Sequence, residues 1–377
     1  MSETPVKHLL GISGGKDSAA LAIYLQSNYP ELDVEYYTCD TGKELNETYE
    51  LITRLESVLG KEIVRYHSFD ETKVAIDNPF DHFLAAYGHF LPSSGQRWCT
   101  IKMKLEPFER NVDNAPTISY VGIRGDENRE GYISKRENIQ TIFPFRKNIW
   151  SSDVIKAVFN NKLNGIFKEA WLHECEGLKQ ITAQKILDTP LSVTFTLDQK
   201  VEALLDFNTR AFNHAVHSTL KHTEYPVGKL DHFPLLDNEE ILGIDEIFNL
   251  LESSGVGIPA YYLPKEFKVE IDGEIKKGTY SRSRSGCYFC FFQQKIEWVW
   301  LLEQHPQLFN KALRYEKDGY TWSEEPLSDL MKPERVHQIK AGYLKKVERQ
   351  NQLSQSQVSW KDEILGAEGI GCSSCFI

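Results

Sequence analysis

Residues 13–18 read Ser-Gly-Gly-Lys-Asp-Ser and combine the residue types that bind phosphate groups. The two glycines permit a tight turn and let a ligand approach the backbone closely. The apolar residues 9–12 predict a strand before the turn, and residues 17–25 predict a helix after it. Backbone N–H groups at a helix start attract an anion, and the lysine adds a positive charge. We therefore predict a phosphate-binding turn made of Ser13, Gly14, Gly15, Lys16, Asp17 and Ser18.

This turn differs from a Walker A loop, which requires Ser or Thr directly after its lysine, because Asp17 stands at that position. The six residues instead resemble the PP-loop of the ATP pyrophosphatases, enzymes that cleave ATP between its α and β phosphates. The resemblance implies ATP as the ligand and Mg2+ on its phosphate oxygens, and it makes Lys16 and Asp17 candidate catalytic residues. The alternative is an ordinary glycine-rich turn between a strand and a helix.

A second polar segment, Asp40-Thr41-Gly42, follows the apolar residues 34–38 and precedes the helix-prone residues 46–59. Alternating strands and helices predict a parallel sheet, and such sheets bind ligands beyond the carboxyl ends of their strands. We predict that this segment binds the nucleotide. Asp40 would accept a hydrogen bond from a ribose hydroxyl group or hold Mg2+, and the alternative is a plain turn aspartate. We interpret Glu44 as a charge near a helix start.

A third segment, residues 122–129, follows a strand predicted over residues 119–123 and contains two arginines. Guanidinium groups suit phosphate oxygens and the negative charge that develops on them. The alternative is a solvated loop whose charges pair with one another. We predict that Gly122, Arg124 and Arg129 bind the nucleotide and that Arg124 is also catalytic.

The seven cysteines include two Cys-x-x-Cys pairs, Cys287 with Cys290 and Cys372 with Cys375. An odd count, without a secretory signal, favours reduced thiols over a disulfide framework. A Cys-x-x-Cys turn supplies two ligands for zinc or an iron–sulfur cluster, and a complete site normally has four. Cys99 is a candidate third ligand. Cys372, Cys375 or a non-cysteine group would be the fourth ligand, and we select Cys375. The alternatives for Cys287 and Cys290 are a purely structural pair and a redox dithiol.

Cys99 is surrounded by cations in the sequence, because Arg97, Lys102 and Lys104 are close to it. If these side chains approach the sulfur atom, they would lower its pKa and favour a metal ligand or a nucleophile. The cations would alternatively neutralise a triphosphate, and Cys99 would alternatively be a buried structural cysteine. The cysteines that we interpret as ordinary buried residues are Cys39 and Cys175.

The chain of 377 residues has a net charge of −11 and an apolar fraction of 41%. These values allow a sizeable core and argue against a uniformly basic nucleic-acid-binding protein. No apolar run approaches the ~18 residues of a transmembrane helix. We therefore expect a cytoplasmic protein that does not enter a membrane.

We predict an α/β fold with a parallel, doubly wound sheet. Residues 266–280 predict a hairpin that turns at Asp272-Gly273. The predicted parts are a nucleotide-binding domain over residues 1–150, a helical insertion over 151–230, a cysteine-bearing C-terminal part over 231–345 and a flexible tail over 346–377.

The order of the motifs over about residues 8–316 resembles that of the phosphoadenosine-phosphosulfate reductase family of PP-loop proteins. The remaining matching segments are Arg97-Trp-Cys-Thr with Lys104 and Pro107, Phe233-Pro-Leu-Leu-Asp, Ile258-Pro-Ala-Tyr-Tyr and Gly286-Cys-Tyr-Phe-Cys. The chain departs from the small assimilatory reductases because it has the helical insertion and lacks their Glu-Cys-Gly-Leu-His tail motif. It also has Thr100 after Cys99, where the cluster-bearing reductases have two adjacent cysteines. Its length, insertion and Cys-Tyr-Phe-Cys-Phe sequence resemble the DndC-like branch more closely.

The DndC-like branch comprises ATP pyrophosphatases that act in DNA phosphorothioation and related defence systems, commonly with an iron–sulfur cluster. The resemblance implies adenylation of an acceptor oxygen, for which a DNA backbone phosphate is a candidate. It also implies a [4Fe–4S] cluster, with zinc as the alternative, a cysteine desulfurase as sulfur donor, and a homodimer as a candidate assembly. Two other functions stay open: reduction of adenylyl or phosphoadenylyl sulfate, and a non-catalytic nucleotide-sensing subunit of a defence complex.

Overall fold

The computed structural model of the protein describes residues 5–68, 78–127, 129–175, 178–317, 319–353 and 361. Its strands are β1 (Lys7–Gly11), β2 (Val34–Thr38), β3 (Ile63–Arg65), β4 (Thr117–Tyr120), β5 (Ile139–Ile142), β6 (Lys265–Ile271) and β7 (Glu274–Tyr280). The first five form a parallel sheet in the order β3-β2-β1-β4-β5, and the last two form an antiparallel pair. The predicted α/β fold with a parallel sheet is therefore confirmed.

Helices connect the strands and form the insertion. Those of the first half are α1 (Lys16–Asn28), α2 (Asn46–Leu59), α3 (Pro79–Ala86), α4 (Trp98–Thr100), α5 (Glu106–Asn111), α6 (Ser152–Val158) and α7 (Asn164–Glu174). Those of the second half are α8 (Leu178–Asp188), α9 (Leu197–Leu220), α10 (Ile244–Ser253), α11 (Lys295–Gln304), α12 (Pro306–Leu313), α13 (Leu327–Leu330) and α14 (Pro333–Leu353). A π-helical segment, Ile101–Leu105, joins α4 to α5, and short 3-10 turns occur at Pro226–Lys229, Pro234–Asp237 and Ala260–Tyr262. Within the described ranges, no helix is both long enough and apolar enough to cross a bilayer.

The apolar runs at residues 9–12, 34–38 and 119–123 predict β1, β2 and β4, whereas β5 has no such run. Its sequence, Ile-Gln-Thr-Ile, mixes polar with apolar residues, yet all of it is buried. The Oε1 atom of Gln140 accepts a hydrogen bond from the backbone N–H of Val227 at 2.9 Å. A tertiary hydrogen bond offsets the burial of this polar side chain, and local sequence does not reveal such a bond. The strand β4 also begins and ends earlier than predicted, at Thr117 and Tyr120.

Neighbouring residues of the central strands enter two different hydrophobic clusters. Leu10 and Tyr36 pack in the cluster that contains the apolar residues of α1 and α2. Leu9 and Tyr37 pack in a second cluster with Phe108 of α5. Because successive side chains of a strand point to opposite faces, both faces of the sheet are covered. Ligands then have access at the carboxyl ends of the strands.

The insertion predicted over residues 151–230 is helical and consists mainly of α6 to α9. Its buried residues, among them Trp171 and Phe212, belong to the same hydrophobic cluster as Leu10 of β1. The insertion therefore packs against the sheet and shares its core. The helix α9 is interrupted at Asn208, where a φ of −165° and a ψ of 100° depart from helical geometry.

The hairpin predicted in the C-terminal part is confirmed. The strands β6 and β7 turn at Asp272 and Gly273, whose φ values of 54° and 81° are those of a tight two-residue turn. The hairpin packs with residues of α11 to α14 in a hydrophobic cluster of its own, which also includes Phe80 of α3. This cluster anchors the C-terminal part to the segment that follows β3.

The predicted start of the flexible tail at residue 346 is wrong, because α14 continues to Leu353. Residues 346–353 are therefore helical. Of the remaining tail only Lys361 is described, so Cys372 and Cys375 lie outside the described residues. The other predicted domain boundaries stay predictions.

Candidate nucleotide site

The PP-loop, residues 13–18, lies at the carboxyl end of the central strand β1. Its neighbours in the sheet are β2, which leads to the Asp40 turn (residues 40–42), and β4, which leads to the arginine loop (residues 122–129). The strand order reverses between β1 and β4, and ligands of open α/β sheets bind at such a point. The fold thus brings the three predicted polar segments to one edge of the sheet.

Hydrogen bonds within the PP-loop fix its backbone. The backbone N–H of Ser13 donates to Ser18 Oγ at 3.2 Å, and the Ser18 hydroxyl is 3.3 Å from the carbonyl oxygen of Gly15. Gly14 has a φ of 72°, a left-handed conformation that glycine adopts without strain. The helix α1 begins directly after Gly15, which has no side chain to cap it. An anion can take the place of the missing cap.

Lys16, Asp17 and Arg124, the three residues predicted to be catalytic, form one buried charge network. Their exposed fractions are 0%, 2% and 0%. Lys16 Nζ lies 3.1 Å from Asp17 Oδ2, and Arg124 Nη1 lies 2.6 Å from Asp17 Oδ1. Asp17 therefore bridges two cations that come from different elements of the fold.

The charge network continues along the arginine loop. Glu127 lies 2.8 Å from Arg124 Nη1 through Oε1 and 2.6 Å from Arg129 Nη2 through Oε2. Arg124 Nε donates to Asp126 Oδ1 at 2.9 Å, and Asp126 Oδ2 accepts from the backbone N–H of Ile244 at the start of α10. The charges of both arginines are thus balanced inside the protein. This favours a role for Arg124 in positioning Asp17.

Replacing Asp17 with asparagine should reduce the loss of stability in acid. Burial alone would raise the pKa of Asp17, but the charges of Arg124 and Lys16 outweigh it and lower the pKa from 3.8 to about 2. The native state therefore binds fewer protons than the unfolded chain in this range. The stabilisation is complete above pH 3.8 and is lost as the pH falls through 2. It amounts to about 2 kcal/mol in the free energy of unfolding.

Urea denaturation between pH 5 and pH 2 measures this effect in Asp17→Asn and in the wild-type protein. The control is Asp33→Asn, because Asp33 pairs with Lys61 at the surface, where such pairs contribute little. An Asp17→Asn variant with the same dependence on pH as the wild-type protein would contradict the network described above.

Gly122 was predicted to bind the nucleotide, and its structural role is close packing against α1. A Cβ atom at this position would lie 2.8 Å from the carbonyl oxygen of Asp17 and 3.4 Å from the backbone nitrogen of Ser18. The Gly122→Ala change should therefore displace the arginine loop or the first turn of α1. We expect a loss of about 1–3 kcal/mol in the free energy of unfolding, together with weaker ATP binding by calorimetry. The matched control is Gly95→Ala, because a Cβ atom there meets nothing within 4 Å, and equal losses in both variants would refute this role.

The Asp40 turn holds a carboxylate in a fixed position at the end of β2. Asp40 Oδ1 accepts hydrogen bonds from the backbone N–H of Gly42 at 2.7 Å and from the hydroxyl of Tyr49 at 2.8 Å. The buried hydroxyl of Thr41 donates to Glu44 Oε1 at 2.5 Å. An immobilised carboxylate suits both predicted roles of Asp40, with the ribose and with Mg2+.

Glu44 belongs to this site, which corrects its interpretation as a helix-start charge. The helix α2 begins only at Asn46, and the Glu44 carboxylate turns back to Thr41 and to the hydroxyl of Tyr49, at 3.1 Å. Burial, together with the neighbouring charge of Asp40, raises the pKa of Glu44 to about 7. A carboxyl group that titrates near neutral pH is suited to proton transfer.

A small cavity of about 20 Å³ adjoins both the PP-loop and these carboxylates. Its size is that of about one water molecule. The polar and sulfur-bearing residues that line it include Ser13, Cys39, Asp40, Glu44 and Lys104. Lys104 reaches the cavity from the π-helical segment, whereas Lys102 pairs with Glu106 at the surface, at 2.5 Å. The cations that are neighbours of Cys99 in sequence therefore diverge in space.

The sheet and its three loops match one known domain. Residues 7–157 match the phosphoadenosine phosphosulfate reductase domain. This match contains the PP-loop, the Asp40 turn and the arginine loop, and it supports a nucleotide-using enzyme domain of the PP-loop type. No match to the chain was found among curated proteins or among solved structures.

Residues beyond the matched reductase domain complete the walls of the site. The hydroxyl of Tyr261 donates to the carbonyl oxygen of Gly14 at 3.0 Å, and the hydroxyl of Tyr262 accepts from the backbone N–H of Lys16 at 3.4 Å. Lys16 Nζ lies 5.1 Å from the centre of the Tyr262 ring, within cation–π range. The sequence signal for these residues was the Ile258-Pro-Ala-Tyr-Tyr segment, which carried no assigned role.

The thiol loop, residues 282–290, lies beside the reductase domain's nucleotide segments. Cys287 Sγ is 3.1 Å from Thr41 Oγ1, and the backbone N–H of Cys290 donates to the carbonyl oxygen of Cys287 at 3.1 Å. At the other end of the loop, a Cβ atom at Gly15 would lie 2.6 Å from Ser285 Oγ. The first Cys-x-x-Cys pair and the PP-loop are therefore adjacent.

The segment that carries Cys99 also adjoins the thiol loop. The guanidinium group of Arg97 lies 5.2 Å from the centre of the Phe292 ring, two residues after Cys290. Cys99, Cys287 and Phe291 pack against the same hydrophobic cluster. The structure thus places Cys99 in the same region as the first Cys-x-x-Cys pair.

Metal ligation by Cys99, Cys287, Cys290 and Cys375 stays a prediction. In the part of the chain that the structure describes, no group of three or more His, Cys, Asp or Glu side chains is arranged to hold a metal ion. The described loop offers two thiols, which suit half of a four-ligand site. Burial raises the pKa of Cys287 well above its usual value, so the thiol is protonated in the absence of a metal.

The remaining predicted cysteines behave as expected. Cys39 and Cys175 are buried, with exposed fractions of 8% and 2%. The described cysteines are all thiols, without a disulfide among them. Burial is also the main cause that raises the pKa of Cys39 to about 12, which fits a structural thiol.

Proposed function

We propose that the protein is an ATP pyrophosphatase that adenylates an acceptor oxygen and prepares it for replacement by sulfur. The observation that carries this proposal is the buried contact of Lys16 with Asp17 at the start of α1, with the thiol loop packed on the same turn. A cation beside an uncapped helix start suits a polyphosphate, and adjacent thiols suit sulfur chemistry.

In this proposal the PP-loop holds the leaving pyrophosphate. The backbone N–H groups at the start of α1 and the Lys16 ammonium group would bind its oxygens, while Arg124 would act by fixing Asp17. An acceptor oxygen would attack the α-phosphorus, and the bond between the α-phosphorus and the bridging oxygen would break. Asp40 and the phosphate oxygens would hold Mg2+. A bound Mg2+ ion would offset the negative charge of the phosphate groups, which opposes the attack. The catalysis rests on positioning and charge.

The second part of the proposal assigns the protein to the DndC-like branch. The terminal sulfur of a persulfide supplied by a cysteine desulfurase would displace AMP from the adenylated acceptor, for which a DNA backbone phosphate is our candidate, and a second thiol would then reduce the resulting P–S–S bond. Cys99, Cys287, Cys290 and Cys375 would hold a [4Fe–4S] cluster, or zinc, which would supply a binding site for sulfur when it is bound. In the same proposal the protein acts in the cytoplasm and assembles as a homodimer.

The match to the reductase domain favours a second candidate function, the reduction of adenylyl or phosphoadenylyl sulfate to sulfite. Product analysis on anaerobically purified protein separates the candidates. We expect AMP and pyrophosphate from ATP in the presence of the acceptor. Sulfite from adenylyl sulfate, without pyrophosphate from ATP, would favour the reductase. ADP as the product would rule out the leading proposal, and ATP binding without any product would support the non-catalytic subunit.

The Cys290→Ser variant should lose its bound metal and still bind ATP, because Cys290 contributes to the thiol loop and not to the PP-loop. Iron, sulfide and zinc analysis, paired with calorimetric ATP binding, measures both properties. Cys175→Ala is the matched control, because Cys175 packs in the cluster of the helical insertion. Full metal content in Cys290→Ser would contradict the assignment of this residue as a ligand.

A further inference from the structure

Arg282 is a buried cation of the thiol loop that pairs with no carboxylate of the described residues. Its side chain is completely buried, with an exposed fraction of 0%. Its Nε and Nη1 atoms have no hydrogen-bond partner within the described structure. Nη2 donates to the carbonyl oxygen of Cys287 at 3.1 Å, which is a neutral acceptor. Buried guanidinium groups normally pair with an anion, because an uncompensated charge is costly away from water.

The position of Arg282 connects it with both nucleotide segments. Its backbone N–H donates to the carbonyl oxygen of Tyr261 at 2.8 Å, and the hydroxyl of Tyr261 donates to Gly14 in the PP-loop. Its guanidinium group bonds to Cys287, whose sulfur atom contacts Thr41 in the Asp40 turn. Arg282 therefore lies at the junction of the PP-loop, the Asp40 turn and the thiol loop.

Three other cations near the nucleotide site differ from Arg282 in their charge balance. Lys16, Arg124 and Arg129 each pair with a carboxylate, at distances of 2.6 to 3.1 Å. A bound polyphosphate brings several negative charges into this region, and the paired cations leave much of that charge uncompensated. Arg282 offers a full positive charge and a planar set of donors that match a tetrahedral oxyanion.

We propose that Arg282 binds a tetrahedral oxyanion at this junction. Taking that oxyanion as an outer phosphate group of the nucleotide rests on the proposed function. A separate sulfate or phosphate ion would satisfy the same guanidinium group, since its chemistry is the same. In either case Arg282 is an anion-binding residue of the site. The anion would accept hydrogen bonds from its Nε and Nη1 atoms, which have no partner within the described structure.

The test compares the wild-type protein with Arg282→Met, a change that removes the charge and keeps most of the volume. Calorimetry with pyrophosphate, ATP, AMP and sulfate gives the affinities. Thermal denaturation without pyrophosphate and with about 5 mM pyrophosphate gives the stability of each variant in the free and the ligand-bound state. We expect Arg282→Met to bind pyrophosphate and ATP about 10- to 100-fold more weakly, with AMP affinity nearly unchanged. Without ligand, the variant should melt at or above the wild-type temperature, because an unbalanced buried charge has been removed.

Arg284→Met is the matched control, because Arg284 is in the same loop and lies over the Phe292 ring, 6.0 Å from its centre. It should bind pyrophosphate as the wild-type protein does. A loss of sulfate binding in Arg282→Met, with ATP and pyrophosphate unaffected, would place a separate oxyanion at Arg282. Unchanged affinity for every anion would overturn the proposal, as would an equal loss of stability with and without anion.

Arg282→Lys covers the case in which the methionine variant does not fold. Lysine keeps the charge and loses the planar donor set, so we expect intermediate pyrophosphate affinity. If neither variant folds, Arg282 serves the fold and the proposal is overturned. These binding measurements require no turnover. A wild-type protein that binds pyrophosphate through Arg282 and releases none from ATP would refute the proposed function and leave the oxyanion site standing.

Discussion

Lys16→Ala should reduce pyrophosphate release from ATP by at least about 100-fold, the scale on which single charge-stabilising groups act in enzymes. Lys16 is completely buried at the start of α1, and Asp17 and the Tyr262 ring hold its ammonium group in place. A buried cation fixed in this way stabilises negative charge on a leaving phosphate without rearranging during the reaction. A coupled pyrophosphate assay, with AMP followed by chromatography, measures the effect.

The control for this prediction is Lys61→Ala. Lys61 pairs with Asp33 at the surface, where the two side chains are 42% and 94% exposed, so its removal should leave the rate unchanged. Circular dichroism should show the same fold in both variants. If Lys16→Ala retained more than a small fraction of the wild-type rate, the pyrophosphate would have to be held elsewhere and the proposed role of the PP-loop would fail.

Arg124→Met should lower the free energy of unfolding by about 3–5 kcal/mol, the typical cost of breaking a buried ion pair by removing one partner. Arg124 pairs with Asp17, Asp126 and Glu127 and is completely buried. Its removal leaves Asp17 and Glu127 as buried carboxylates with less positive charge around them. Urea denaturation at neutral pH measures the loss, and pyrophosphate release should fall with it, because Asp17 no longer has a fixed position.

Arg210→Met is the control variant for this prediction. Arg210 pairs with Asp237 in a similar way, at 2.8 Å, but both side chains are about half exposed. We expect a loss below about 1 kcal/mol there. Adding Asp17→Asn to Arg124→Met should recover part of the lost stability, because the two changes remove both members of one pair. Additive losses in the double variant would show that Asp17 and Arg124 do not act together.

The parts of the site that follow from local sequence are those built by short segments. The PP-loop needs only a strand, two glycines and a helix start, and the Asp40 turn needs only a strand end. Both patterns are visible within about ten residues, and the parallel sheet then brings them together. The fold class follows from the same alternation of strands and helices.

The parts that sequence did not predict depend on contacts between distant segments. Glu44 looks like a helix-start charge until its hydrogen bonds to Thr41 and Tyr49 are known. Phosphate binding by Arg124 stays a prediction, and what sequence did not show is that carboxylates from the PP-loop and from its own loop pair with it. Asp126 and Glu127, which follow Arg124 directly, were the signal that could have indicated this pairing.

Tyr261 and Arg282 were missed for the same reason. They lie beyond residue 157, where the match to the reductase domain ends, and reach the PP-loop only through the tertiary fold. Neither a hydrophobic period nor a short motif reports such a contact. A buried arginine five residues before a cysteine forms no recognisable sequence pattern. Its distinguishing feature is structural, since its Nε and Nη1 atoms have no hydrogen-bond partner within the described structure.

The contact of Cys287 with Thr41 makes chemistry at the sulfur atom and occupancy of the nucleotide site thermodynamically reciprocal. If oxidation, persulfide formation or metal loading at Cys287 favours one arrangement of the Asp40 turn, it changes nucleotide affinity by some factor. Nucleotide binding must then change the equilibrium at the sulfur atom by the same factor. Under the proposed function, the affinity for nucleotide would then report the chemical state of the Cys287 sulfur atom.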